Sequence, residues 1–531
     1  MRWILGIRVA GAGARVYARA MRISVVFLFT SALATLALTA CGGDETEATG
    51  PSASGAGGAA GSGNTGGEGG LGGQGGGQGG AGGQGGAGGQ GGTAGAGGTA
   101  DVDILEKLNA IPGVIATEEP SEIADYRYFT IDFEQPVDHT DPNGPHFTQR
   151  LVLHHKDTSA PFVLASTGYY LWLPWQYLEE PAALLDANQL IVEHRYFYPS
   201  RPDPADWTKL NIVQAASDHH RIVEALRPIY EGKWISTGVS KGGMTSIYHR
   251  RFFPGDVDGT VAYVAPHSDG LDDPRYVDFL NQVGDAACRQ QLKDFQREVL
   301  LRRNAMIPRL TNLAAMYNLT FNLIGVEPSF ESSVISLPFA FWQYNGANRC
   351  KDIPGAAATD DEVWAFFDEM GQPLYVADPY LLGFEPYYWQ AYTELGTPGI
   401  DTSHLTDLLT VNFDAIDDLP SIAIEPVYDP APMKDVGTWL AAEGERILFI
   451  YGETDPWSAA AFDVGNAKDT YKFVMPGGNH GSNIKNLMPA DRTAAEDALA
   501  AWTGVVPMMQ PKILPPRPPA PPVRIMRRRS F

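Results

Sequence analysis

Five residues, Gly238-Val239-Ser240-Lys241-Gly242, constrain the fold more than any other part of this chain. A serine with a glycine two positions to either side marks a sharp strand-to-helix turn, because the neighbouring strands leave no room for a Cβ at the flanking positions. The apolar run Trp234-Ile235-Ser236-Thr237 comes before it and a helical stretch, Met244–Arg251, comes after. That turn sets the hydroxyl at a helix N-terminus, where free N–H groups favour any anion that forms. A glycine-rich turn with an incidental serine is the alternative.

The surrounding pattern predicts the sheet that such a turn needs. Tyr128–Phe133 and Gln149–His154 read as antiparallel strands, with turn chemistry at Asp141-Pro142-Asn143-Gly144 between them. Buried runs follow at Phe162–Ala165, Leu190–Val192, Trp234–Thr237 and Val261–Val264. Between the second and third, apolar residues at Leu210, Val213, Ala216, Ile222, Val223, Leu226 and Ile229 fall on one helical face. Strand–helix–strand alternation implies a mostly parallel sheet covered on both faces. The rhythm stops over residues 268–443, which read as helical and aromatic-rich, and returns at Ile447–Tyr451 and Tyr471–Val474. The expected fold is therefore α/β, an α/β-hydrolase core in two parts (101–267 and 444–506) with an inserted, mainly helical cap (268–443).

A serine hydroxyl is a poor nucleophile without a base. In this fold the order along the chain is serine, acid, histidine. Of the 11 histidines, only His480 follows the last strand pattern, in the loop Gly477-Gly478-Asn479-His480-Gly481. The acid should follow the preceding strand, where Gly452-Glu453-Thr454-Asp455-Pro456-Trp457 offers Asp455; Glu453, Asp269 and Asp272 are competitors. The tetrahedral oxyanion needs two N–H donors. Lys241, next to the serine, should supply one, and Tyr169, in the turn Ser166–Tyr170, the other. His154-His155 and His219-His220 have no carboxylate or cysteine at metal-ligand spacing, so no metal is expected, nor any organic cofactor. Glu193-His194-Arg195-Tyr196-Phe197 follows a buried strand and reads equally as an ion-pair corner or as a pocket wall.

Both ends of the chain differ in kind from this body. Arg22, the run Val25–Phe29 and the small residues up to Ala40 form an export-signal pattern, with Met21 a candidate true start. The signal ends in Leu38-Thr39-Ala40-Cys41, which resembles a bacterial lipobox and makes Cys41 a lipidation candidate; an ordinary cleaved signal is the alternative. Residues 42–100 hold most of the 59 glycines and almost no large apolar side chain, the composition of a flexible tether. Residues 507–531 are rich in proline and arginine and read as a disordered tail. A net charge of -23 argues against a nucleic-acid partner. With Cys41 set apart, Cys288 and Cys350 are candidates for a disulfide in an oxidising compartment, two free buried thiols being the alternative.

Trp234–Thr245 and Gly259–Pro266 resemble the corresponding stretches of peptidase family S37 (PS-10), the secreted Streptomyces tripeptidyl aminopeptidases. Glu193–Phe197 and Gly477–His480 also look like motifs of that family and of the related lysosomal prolyl carboxypeptidases. The resemblance implies a capped α/β-hydrolase that releases short peptides, often tripeptides and often after proline, from free N-termini. It carries Ser240, Asp455 and His480 over as the triad. An enzyme of that kind must hold a substrate ammonium, which is costly to bury without an anion; Glu193 and then Glu394 are the candidates. The lipobox, tether and basic tail depart from the secreted pattern. An esterase or lipase is the second reading, and a binding protein on an inactive hydrolase scaffold the third.

Overall fold

The computed structural model describes residues 102–508 except 172, 174 and 412–418. The export segment with Cys41, the glycine-rich stretch and nearly all of the basic tail lie outside the described residues.

Among the described residues, nine strands form one sheet in the order β1-β2-β3-β5-β4-β6-β7-β8-β9. Strands β1 (Val114–Glu119), β2 (Arg127–Pro136) and β3 (His146–His155) are antiparallel neighbours, and β3 pairs antiparallel with β5 (Asn188–Val192). The remaining pairings, through β4 (Phe162–Ser166), β6 (Trp234–Val239), β7 (Gly259–Tyr263), β8 (Glu445–Gly452) and β9 (Lys468–Met475), are parallel. This is the α/β-hydrolase fold. Strands β4 to β7 are buried almost throughout, because helices cover both faces.

The chain leaves β4 toward β5 and later returns to β6 on its other side, so the connections diverge between β4 and β6. Ligand sites in parallel sheets lie at the carboxyl ends of strands at such a point. Register places Ser166, ending β4, opposite Gly238 of the elbow.

Helices α1 (Ile104–Asn109), α2 (Glu180–Leu185), α3 (Ile212–Leu226) and α4 (Lys241–Phe252) belong to the first half of the core. In α3 the expected face is buried except at Val213, which is 46% exposed. Helices α5 (Pro274–Leu280), α6 (Ala286–Leu301), α7 (Arg303–Met316), α8 (Val326–Tyr344), α9 (Asp360–Gly371) and α10 (Asp378–Gln390) lie between β7 and β8. They enclose their own apolar cluster, centred on Leu292, Phe295, Phe330, Phe341, Trp342 and Phe367. Cys288 in α6 and Cys350, in the turn Ala347–Asp352 after α8, are joined as a disulfide with Cα atoms 5.3 Å apart. Helix α11 (Ala431–Glu443) falls inside the span expected to be cap but packs with the core: Met433, Val436 and Leu440 lie against Met244, Ile447 and Phe449. Helix α12 (Pro489–Thr503) seals the sheet by burying Ala495 and Leu499 beside Val261, Leu448 and Ile450.

Candidate active site

Ser240 stands between β6 and α4 with φ 56° and ψ −125°. A side chain rarely adopts that backbone, and such strain persists only where the surroundings dictate it. The Ser240 N–H donates to Tyr263 O of β7 at 2.8 Å, and Ser240 O accepts from Met244 N–H at 3.0 Å. A Cβ on Gly238 would stand 2.3 Å from the Gly242 carbonyl, and one on Gly242 would stand 2.3 Å from Ser166 O. Both obstacles are backbone, which cannot swing aside. Gly242→Ala is therefore expected to cost roughly 3 kcal/mol or more of stability, read as a fall in thermal midpoint. An unchanged midpoint would show that the elbow relaxes freely.

Asp455 follows β8, caps the short turn Pro456–Ala460 and is fully buried. One carboxylate oxygen accepts from Trp457 N–H at 3.2 Å, and the other pairs with His480 Nδ1 at 2.7 Å. A carboxylate can only accept here, so Nδ1 is the donor of this pair and Nε2 is the nitrogen turned away from it. Nε2 is buried and has no hydrogen-bond partner among the described residues. The competing carboxylates are placed otherwise. Glu453 accepts from Gly477 N–H at 2.7 Å and props the histidine loop from outside. Asp269 faces Arg275 at 3.4 Å, and the Asp272 N–H donates to Thr397 Oγ1 at 3.1 Å.

Trp457 links the two arms. It lines the cavity at Ser240, and its ring centroid lies 6.5 Å from that of His480. That cavity, of about 310 Å³, is walled by Tyr169, Met244, Pro266, Tyr387, Leu395 and Trp457. A larger cavity of about 600 Å³ lies within the cap, among Leu280, Lys293, Phe339 and His404, and includes none of Ser240, Asp455 and His480.

Lys241 opens α4, so its N–H has no acceptor within the helix and lies beside the nucleophile. The Tyr169 N–H is placed differently from the expectation. It donates to Thr167 Oγ1 at 3.1 Å, while Tyr169 O accepts from His194 N–H at 2.9 Å. Tyr169 instead lines the cavity together with Ser240, and burial pushes its phenol well above its ordinary range. The Lys241 amine is wholly buried and held far below its usual basicity by that burial, with the nearby Glu394 charge opposing the effect. It donates to Gly168 O at 2.8 Å and lies 5.5 Å from the Phe197 ring centre.

The PS-10 peptidase S37 family profile matches residues 98–520. The chain belongs to that family. This S37 chain is also 41% identical over 414 residues to a prolyl tri/tetrapeptidyl aminopeptidase of Streptomyces mobaraensis, covering 76% of the chain and 86% of that protein. Among solved structures it overlaps a proline iminopeptidase of Mycobacterium smegmatis (TM-score 0.31, 14% identity, 73% of this chain and 99% of that one). It likewise overlaps a homoserine O-acetyltransferase of Staphylococcus aureus (TM-score 0.35, 14% identity, 73% and 95%). The S37 chain is a serine-type peptidase.

Its two candidate amine-binding carboxylates differ sharply. Glu193 receives Arg150 Nη2 at 2.5 Å, Ser200 Oγ at 2.6 Å and Leu171 N–H at 2.8 Å. Its neighbour Arg195 makes a buried bidentate pair with Asp218, both contacts at 2.7 Å. The Glu193–Phe197 motif of this S37 peptidase is thus an ion-pair corner that braces the Tyr169–Leu171 loop. Its carboxylate is engaged by Arg150, Ser200 and Leu171 in that brace. Glu394 lies in a single π-turn, Ala391–Leu395, whose last residue lines the Ser240 cavity. One of its oxygens accepts from Ile212 N–H at 2.9 Å, and burial raises the carboxyl to about 7.

Proposed function

We propose that this S37 peptidase cleaves short peptides from free N-termini, with Ser240 as nucleophile, His480 as general base and Asp455 as its orienting acid. The observation that carries this reading is the buried His480–Asp455 pair at 2.7 Å, whose imidazole neighbours Trp457 in the wall of the cavity at the strained elbow serine. Ser240 Oγ attacks the peptide carbonyl while His480 Nε2 takes its proton. The Lys241 N–H stands next to the developing oxyanion, with Tyr169 in the same cavity wall as the second donor of this reading. Collapse expels the amine, which receives the proton from His480, and water then hydrolyses the acyl-enzyme. Catalytic hydrogen bonds tighten as substrate docks, so Nε2 meets the serine in the complex. The Streptomyces relative's name points to tri- and tetrapeptides ending in proline, and the apolar wall of Met244, Pro266, Tyr387 and Trp457 suits a pyrrolidine ring.

Peptides are then the partners. Export and lipidation at Cys41, which would place the enzyme on the outer face of a bacterial membrane, rest on the lipobox pattern alone. The test of function compares free-amine peptidyl, N-blocked and short-chain ester reporters. Turnover confined to free-amine peptides is expected. Ester turnover alone would favour the esterase reading, and silence on every substrate the binding protein.

Glu394 is the anchor for the substrate ammonium in this reading. Glu394→Gln is expected to raise KM for free-amine peptides by about 10- to 100-fold with little change in kcat. The anchor is the ionised form and its carboxyl titrates near 7. KM should therefore fall as pH rises through neutrality, and Glu394→Gln should lose that limb. The stability effect has the opposite sense. The folded carboxyl holds its proton more tightly than the unfolded one, so the fold loses stability as pH rises toward and through 7. A flat KM profile in the wild type would remove Glu394 from this role.

A further inference from the structure

We propose that Asn479 is a positioning residue that fastens the histidine loop to the end of cap helix α8, so that the cap sets the geometry of the base. The inference rests on the reading of His480 as that base. The loop Gly477-Gly478-Asn479-His480-Gly481 has glycine at three of its five positions, so few side chains hold its path. The core holds it on one side: Gly478 O accepts from Thr454 N–H at 2.8 Å and from Thr454 Oγ1 at 2.9 Å. The cap holds it on the other. The His480 N–H donates to Gln343 O at 2.9 Å, and Asn479 Nδ2 donates to Tyr344 O, also at 2.9 Å. The same side chain closes the turn beyond the histidine, its Oδ1 accepting from Gly481 N–H at 3.0 Å. The Tyr344 ring meets the His480 imidazole edge-on, centroids 6.1 Å apart.

Gln343 and Tyr344 are the last two residues of α8, and that end is itself clamped. The turn Ala347–Asp352 follows directly and carries Cys350, whose disulfide reaches Cys288 in α6. Arg349 in the same turn pairs with Glu369 of α9 at 2.8 Å. A continuous chain of bonds thus runs from the cap to the imidazole. The Asp455 bond fixes the ring's orientation, while the Asn479 and Gln343 bonds fix where its Cα stands. Losing the Nδ2 donor removes the bond to Tyr344 O and leaves the His480 N–H bond to Gln343 O.

The test uses the full-length protein with Asn479→Ala and Asn479→Asp; the aspartate keeps the acceptor for Gly481 but loses the donor to Tyr344. Both should lower kcat roughly 10- to 100-fold, the cost of displacing a catalytic group by about 1 Å, with KM within about twofold of wild type. The rate of fluorophosphonate labelling at Ser240 should fall by the same factor, because that reagent needs the base and not the peptide subsites. Reducing the Cys288–Cys350 disulfide should slow labelling in the same direction. A lower thermal midpoint with wild-type labelling in either folded variant would overturn the inference and leave Asn479 a structural residue. His480→Ala separates the two claims. If it labels at the wild-type rate, the base assignment itself fails. If it is silent while both Asn479 variants label normally, only the inference fails.

Discussion

Ser240→Ala is expected to lower kcat on a free-amine peptide by roughly 10⁵-fold or more, with KM nearly unchanged. The size of the loss follows from the route. Without the hydroxyl there is no acyl-enzyme, and water must attack the carbonyl directly with only the oxyanion donors to help. The substitution removes one buried oxygen from a cavity wall, so folding should be spared. The strained backbone at φ 56° is imposed by β6, α4 and the tight glycine contacts, and an alanine there is held by the same frame. A folded variant with no turnover is therefore the expected result, read by steady-state kinetics alongside a thermal midpoint. Residual activity within about tenfold of wild type would mean that another group carries the chemistry.

Asp455→Asn is the next largest expected effect, about 10⁴-fold in kcat. The buried carboxylate accepts a hydrogen bond from His480 Nδ1–H and so keeps Nε2 free to act as base. An amide can turn its NH2 toward Nδ1 and move the proton to Nε2, the wrong tautomer for taking a proton from serine. It also withdraws the negative charge that steadies the imidazolium formed during attack. The neighbouring carboxylate provides the control. Glu453 bonds to the Gly477 N–H, and an amide oxygen can accept that bond equally well. Glu453→Gln should stay within about twofold of wild type, on the general tolerance of exposed substitutions. Equal losses in the two variants would remove the distinction between orienting acid and loop prop.

The parts of the fold legible in the sequence were those encoded locally. Strands β4 to β8 announced themselves as apolar runs because they are buried on both faces. Strand β1 has no such signal: Val114–Glu119 is an edge strand whose last three residues, Thr117-Glu118-Glu119, are exposed, so no apolar run marks it. Helix α11 falls in the span expected to be cap because the strand rhythm resumes only after it, whereas its partner Met244 is distant in sequence.

The site divides along the same line. The elbow motif and the order of serine, acid and histidine pointed to Ser240, Asp455 and His480, since that order is a property of the chain's path. The placement of Tyr169 depends on where the Thr167 hydroxyl turns, which captures the N–H and leaves the side chain to line the Ser240 cavity. Glu193 could be judged only with Arg150, Ser200 and Leu171 in view. A local signal for Asn479 existed, a lone polar side chain in a glycine loop, but its partner Tyr344 lies 135 residues away.

The central claim is that Ser240 is a nucleophile activated by His480. Its most direct test is mass spectrometry of the intact and digested protein after treatment with a fluorophosphonate, in wild type and in His480→Ala. The account predicts one adduct per chain, on the peptide containing Ser240, formed slowly or not at all in the variant. An adduct on a different serine, or equal labelling of Ser240 without the imidazole, would contradict it.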